Sequence, residues 1–109
     1  MITKVKLLEK EYEIYNIHNF ENNPLQVGEI IEHQDTISLS GNQSNSNRHI
    51  VLFHELVHAL FQQTGHSEYD NDENLIDCIA LGIYSLVKNN DFSFMRNQGE
   101  TKDYSNDND

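Results

Sequence analysis

The sequence predicts an α+β fold in which a small antiparallel or mixed sheet packs on two core helices, and three observations lead to this prediction. Apolar and polar residues alternate through much of residues 1–40, which is the period of half-buried strands. From 48 to 63 and again from 71 to 88, apolar residues recur at helical spacing instead. A chain of 109 residues is long enough for one domain around one core.

Four strands are expected in the first forty residues. A polar run at 9–11 separates two segments with alternating apolar residues, which is typical of a β-hairpin. The apolar positions of this hairpin are Val5, Leu7, Tyr12, Ile14 and Ile17. After a loop at Asn22-Asn23-Pro24, two further strands are predicted at 26–32 and 36–40.

Two helices are expected in the second half of the chain. The first, at 48–63, is apolar around most of its circumference, so it should be buried on more than one side. Either Ser46 or Asn47 is expected to cap its N-terminus, and Gly65 can take the left-handed position after its C-terminus. The second helix is predicted at 71–88.

The composition and charge of the chain argue against several kinds of protein. Seven basic residues against eighteen acidic ones give a formal net charge of −11, which argues against direct nucleic-acid binding because phosphate contacts need a Lys/Arg surface. No apolar run approaches the roughly 18 residues of a membrane span, and the start lacks an unbroken apolar stretch, so a cytoplasmic protein is expected.

The single cysteine, Cys78, excludes an internal disulfide and is expected to be a buried core residue. Residues 1–90 are predicted to form one domain and 91–109 a polar, acidic tail.

The segment His54-Glu55-Leu56-Val57-His58 matches the pattern H-E-x-x-H. Two histidines four residues apart on a helix are offset by one turn and about 40°, so both imidazoles can reach one metal ion. Glu55 lies on a neighbouring part of the same face and could act as general base toward a water that the metal activates. The motif lies in the most apolar segment, where such polar groups need partners. The alternative is a pair of hydrogen-bonded core histidines with a salt-bridged glutamate.

A zinc hydrolase also needs a third protein ligand and an open fourth position. The metzincin continuation would place Gly and His where this chain has Phe61 and Thr64. Glu73 on the second helix could complete the site, and Asp77, one turn later, could accept the other ring N–H of a ligand histidine.

Other interpretations of this region remain open. Asp70 and Glu73 have the spacing of a capping box, in which Glu73 would bond to backbone. The alternative third ligands are His66, Asp70 and Asp72. The candidate oxyanion stabilisers are Tyr69, Tyr84 and His66, and the sequence does not choose among them.

His54-Glu55-Leu56-Val57-His58 followed by Glu73-Asn74-Leu75-Ile76-Asp77 resembles the H-E-x-x-H…E-x-x-x-D pattern of gluzincin metallopeptidases. The small size and the preceding strands are similar to small phage-type ImmA/IrrE metallopeptidases over about residues 28–90. That resemblance implies a minimal zincin-like domain, a Zn²⁺ ion, and cleavage of a protein such as a transcriptional regulator. The implied zinc ligands are His54, His58 and Glu73, with Glu55 as the catalytic base. Many members instead carry a Glu-Ala-Asn-x-Phe-Ala-like segment around the third ligand, from which this chain departs.

The resemblance also suggests where a substrate would bind. In zincins an edge strand beside the active site pairs with an extended substrate. By resemblance, the candidate strand consists of Thr36, Ile37, Ser38, Leu39 and Ser40. The sequence thus predicts a zinc-dependent metallopeptidase that acts on a protein or peptide. The alternatives are a non-catalytic, zinc-stabilised binding module, such as an antirepressor, and a metal-free interaction protein.

Overall fold

A computed structural model describes residues 3–96 and contains a four-stranded mixed sheet followed by two helices that pack together. The strands are β1 (Thr3–Leu7), β2 (Lys10–Ile17), β3 (Gly28–Ile31) and β4 (Thr36–Ser40), and the helices are α1 (Asn45–Gln63) and α2 (Glu73–Asn89). The strand order is β1-β2-β4-β3, with β2 and β4 parallel and the two outer pairings antiparallel. The α+β prediction is confirmed, and the sheet is of the mixed kind.

The core lies between one face of the sheet and α1. Tyr12 and Ile14 of β2 point to this face together with Ile37 and Leu39 of β4, and all four are buried. Strand residues two apart share a face, so the alternation in the sequence produces this apolar layer directly. The predicted hairpin is β1–β2, in register from Thr3 opposite Ile14 to Leu7 opposite Lys10.

Helix α1 begins three residues earlier than the sequence pattern predicts. Its N-cap is Ser44, which has an extended backbone and accepts a hydrogen bond from the Asn47 N–H at 3.1 Å. The prediction of Ser46 or Asn47 as the cap is therefore wrong, because both residues already lie in the first helical turn. Gly65 follows the helix with φ of +78°, as predicted for a left-handed C′ residue.

Helix α2 contacts α1 along one stripe, where Ile76 and Ala80 are fully buried. Cys78 is exposed, so the prediction that it belongs to the core is wrong. The reason is that, within residues 3–96, α2 packs mainly against α1. Cys78 is two residues from both Ile76 and Ala80, so it lies about 160° around the helix from each of these buried residues.

The described residues that follow α2, up to Arg96, are exposed to solvent. Residues 91–96 are exposed and end in a short 3-10 helix (Ser93–Arg96), while the remainder of the predicted tail, 97–109, lies outside the described residues. Within residues 3–96, no helix is long and apolar enough to cross a membrane.

Candidate metal centre

The two motif histidines direct one ring nitrogen each toward the same carboxylate. His54 Nε2 lies 3.1 Å from Glu73 Oε1, and His58 Nε2 lies 3.7 Å from Glu73 Oε2. One ligand atom from each of the three residues lies within 4.8 Å of the others. Zinc–ligand bonds of 2.0–2.2 Å in a tetrahedron place neighbouring ligand atoms about 3.4 Å apart. The two observed separations end on different oxygens of Glu73 and lie close to that value, so the three side chains could hold a metal ion.

The position of Glu73 follows from the way α2 begins. Asp72 is the N-cap and accepts a hydrogen bond from the Leu75 N–H at 3.2 Å, so Glu73 is the first helical residue. The capping box between Asp70 and Glu73 is therefore not formed, and the Glu73 side chain is free to reach α1. Its side chain is 58% exposed, which leaves the centre open to solvent on that side. An open position is what a catalytic zinc site requires.

The other ring nitrogen of each histidine also faces a carboxylate. His54 Nδ1 lies 2.8 Å from Asp77 Oδ1, which is the arrangement that the proposed orienting role of Asp77 requires. His58 Nδ1 lies 3.3 Å from Asp70 Oδ1. The contact between His58 and Asp70 was not expected from the sequence, because no fixed spacing links a helix to a loop residue twelve positions later.

The alternative third ligands are engaged elsewhere. Asp70 contacts Nδ1 of His58, whereas Glu73 faces Nε2 of the same ring. Asp72 caps α2. His66 is exposed and pairs with Glu68 at 3.5 Å. Within residues 3–96, one group of three side chains is placed so that it could hold a metal ion, and it consists of His54, His58 and Glu73.

Glu55 is directed into the protein, between α1 and the sheet. It is only 9% exposed, and this burial raises the pKa of its carboxyl above the ordinary value, while His54 and His58 oppose the shift. The carboxylate approaches β3 closely: a β-carbon at Gly28 would lie 3.3 Å from Glu55 Oε2. A raised pKa brings a glutamate nearer to the value that suits a general base at neutral pH.

A cleft of about 450 Å³ lies beside Glu55, between α1 and the segment that leads into β3. Its lining residues are Leu25, Gln26, Val27, Gly28, Asn47, Ile50, Val51, His54, Glu55 and Asp77. The cleft therefore shares residues with the candidate metal centre, and an extended chain lying in it would pass the two motif residues His54 and Glu55.

The strand predicted to pair with a substrate is in the wrong place for that task. Residues Thr36, Ile37, Ser38, Leu39 and Ser40 form β4. This strand is central, with β2 on one side and β3 on the other, so its backbone groups are already paired. The prediction is corrected: β3 is the edge strand next to α1.

The outer edge of β3 can be assigned from its pairing. The Ser40 N–H donates to Val27 O, so in an antiparallel ladder the alternate residues Gly28 and Ile30 direct their backbone groups outward. The Gly28 carbonyl accepts a hydrogen bond of 3.1 Å from the Gln26 side chain. A strand that docks here would have to displace that amide.

The candidate oxyanion stabilisers lie at different ends of α1. Tyr69 packs its ring near Phe61, one turn beyond His58. Tyr84 is hydrogen-bonded to Ser46 and Lys88, interactions that lower the pKa of its hydroxyl. Ser46 precedes His54 by eight residues, or about 12 Å of helix, so Tyr84 lies away from the motif.

Comparison of the chain with protein-family models, curated proteins and solved structures finds no match. The predicted family therefore remains a prediction. What the structure shows is a group of two histidines and a glutamate, consistent with an H-E-x-x-H-like site, that could hold a metal ion.

Proposed function

We propose that the protein is a zinc-dependent metallopeptidase that hydrolyses a peptide bond in an extended protein segment. The observation that carries the proposal is the convergence of His54 Nε2, His58 Nε2 and a Glu73 oxygen beside a buried glutamate and an open cleft. Two imidazoles and one carboxylate are the ligand set of several zinc hydrolases. Core histidines that serve only packing would not need a half-exposed acid between them.

The roles of the side chains follow from their positions. His54, His58 and Glu73 would hold the ion, which when bound lowers the pKa of water and polarises a carbonyl group. Glu55 accepts the proton of the attacking water on a carboxylate oxygen and delivers it to the leaving amine nitrogen as the C–N bond breaks. Asp77 accepts the Nδ1–H of His54 and so keeps Nε2 of that ring directed at the site.

The cleft supports an extended substrate. A peptide strand that adds to the outer edge of β3 would form hydrogen bonds with the backbone groups of Gly28 and Ile30. It would displace the Gln26 amide from the Gly28 carbonyl. By resemblance to small phage-type ImmA/IrrE metallopeptidases, the substrate class is a transcriptional regulator. From the sequence pattern, the active unit is residues 1–90 and the site of action is the cytoplasm.

The test is Glu55→Gln, with Glu68→Gln as a control because Glu68 is exposed and pairs with His66, outside the candidate metal centre. Unfolded casein serves as the substrate, and mass spectrometry reads the fragments. The Glu55 variant should bind one zinc by elemental analysis and lose turnover by at least about 100-fold. The control should match the parent. Turnover by Glu55→Gln at the parent's rate would contradict the proposed mechanism.

A second candidate is a zinc-stabilised binding module that captures a regulator without cutting it. The position of β3 at an edge of the sheet favours it, since strand addition needs no chemistry. In that case Glu73→Ala should lose zinc and partner binding together, whereas Glu55→Gln should keep both, with no fragments formed by any variant.

A further inference from the structure

Asp70 occupies the same position at His58 that Asp77 occupies at His54. Each carboxylate lies against the Nδ1 atom of its histidine, at 3.3 Å and 2.8 Å respectively, while both Nε2 atoms face Glu73. We infer that Asp70 is a positioning residue that orients His58 for metal binding, so that each histidine ligand has its own carboxylate. This inference rests on the proposed metal site.

Asp70 is itself held in place from two sides. Its Oδ2 accepts a hydrogen bond from the Gln62 side chain, one helical turn after His58 on α1. Its backbone N–H donates to Ser67 O at 3.0 Å, within the short 3-10 helix Ser67–Tyr69. The adjacent Tyr69 ring packs 5.4 Å from the Phe61 ring of α1. The carboxylate is thus fixed relative to the helix that carries His58.

The two orienting acids differ in how far solvent covers them, and Asp70 is the less exposed one. Its side chain is 23% exposed, against 67% for Asp77. A charge-assisted hydrogen bond is weakened less by solvent when it is more covered. The longer distance at Asp70 acts in the opposite direction, so we expect effects of similar size at the two positions.

The expected function is to select one ring nitrogen for the metal. A carboxylate at Nδ1 favours the tautomer in which Nδ1 carries the proton and Nε2 has the free electron pair. It also holds the ring plane and makes the imidazole a better donor. Removal of such a partner typically weakens metal binding 10–100-fold.

The experiment compares Asp70→Ala and Asp70→Asn with the control Glu68→Ala, which removes an acid that pairs with His66 in the 3-10 helix just before Asp70. Zinc dissociation constants come from competition with a chelating dye, and the visible spectrum of the Co²⁺-loaded protein reports the ligand geometry. Asp70→Ala should weaken zinc binding about 10–100-fold and change the Co²⁺ spectrum. Asp70→Asn keeps an acceptor oxygen, so it should retain the parent's Co²⁺ spectrum and most of the parent's zinc affinity. The control should stay within about threefold of the parent, since exposed charges contribute little.

Two outcomes separate the inference from the function on which it rests. Stoichiometric zinc in the parent, with equal affinity in Asp70→Ala and Glu68→Ala, would overturn the role of Asp70 and leave the metal site intact. A parent that binds no zinc would overturn both. If Asp70→Ala does not fold, Gln62→Leu removes the support of Asp70 instead: a weaker zinc affinity supports the inference, and an unchanged affinity refutes it.

Discussion

Gly28 of β3 lies close to Val51 and Glu55 of α1, and replacing it with alanine tests the packing that forms the cleft. An added β-carbon would lie 2.5 Å from Val51 Cγ1 and 3.3 Å from Glu55 Oε2. Carbon atoms in contact normally lie about 3.5–4.0 Å apart, so β3 or Val51 must move by about 1 Å. Gly28 is outside the left-handed region, so the cost of Gly28→Ala is steric.

The expected cost is about 1–3 kcal/mol of unfolding free energy, which is typical of an extra carbon in a well-packed region. The assay is urea unfolding of the metal-free protein. Gly82→Ala is the matched control, because a β-carbon there meets nothing within 4 Å and Gly82 lies inside α2. Alanine is the better helix former, so the control should gain about 0.5–1 kcal/mol.

A double variant decides whether Val51 is the cause. Val51→Ala in the Gly28→Ala background removes the clashing methyl groups, so the double variant should lose at least about 1 kcal/mol less than the sum of the two single losses. Unchanged stability of Gly28→Ala, or strict additivity with Val51→Ala, would refute the close approach of β3 to α1.

Two further predictions concern single carboxylates. Burial raises the pKa of Glu32, and one of its oxygens is buried without a hydrogen-bond partner among the described residues, so the folded protein favours the protonated form. The resulting destabilisation is absent below the unfolded-state pKa of about 4.3, grows as pH rises above it, and is complete once pH exceeds the raised folded-state pKa. In urea unfolding, Glu32→Gln should therefore raise the free energy of unfolding by about 1 kcal/mol at pH 7.5 and by little near pH 4. An equal increase at both pH values would contradict burial of the charge as the cause. Asp72→Ala removes the N-cap of α2 and should cost about 1 kcal/mol by the same assay, whereas Asp72→Asn should cost much less, and equal losses would show that the cap bond to Leu75 is not the reason.

The sequence determined those features that depend on neighbours along the chain. Alternation identified the β1–β2 hairpin and the two later strands, and helical spacing identified α1 and α2 to within a few residues at each end. The offset of His54 and His58 by one helical turn is likewise local, because helix geometry alone places both imidazoles on one face. Gly65 could be assigned for the same reason, since only the last turn of α1 sets its conformation.

Tertiary structure decided which segments meet. Periodicity shows which face of a strand is buried but not which strand lies beside it, so β4 was expected at an edge and lies at the centre. Cys78 is exposed because, among residues 3–96, α2 packs mainly against α1 and Cys78 faces away from that contact. The partner of His58 Nδ1 depends on how the loop after α1 folds back, so the contact of Asp70 with His58 became evident only in the folded chain. Local geometry is encoded by adjacent residues, whereas the choice of partner is a property of the whole packed molecule.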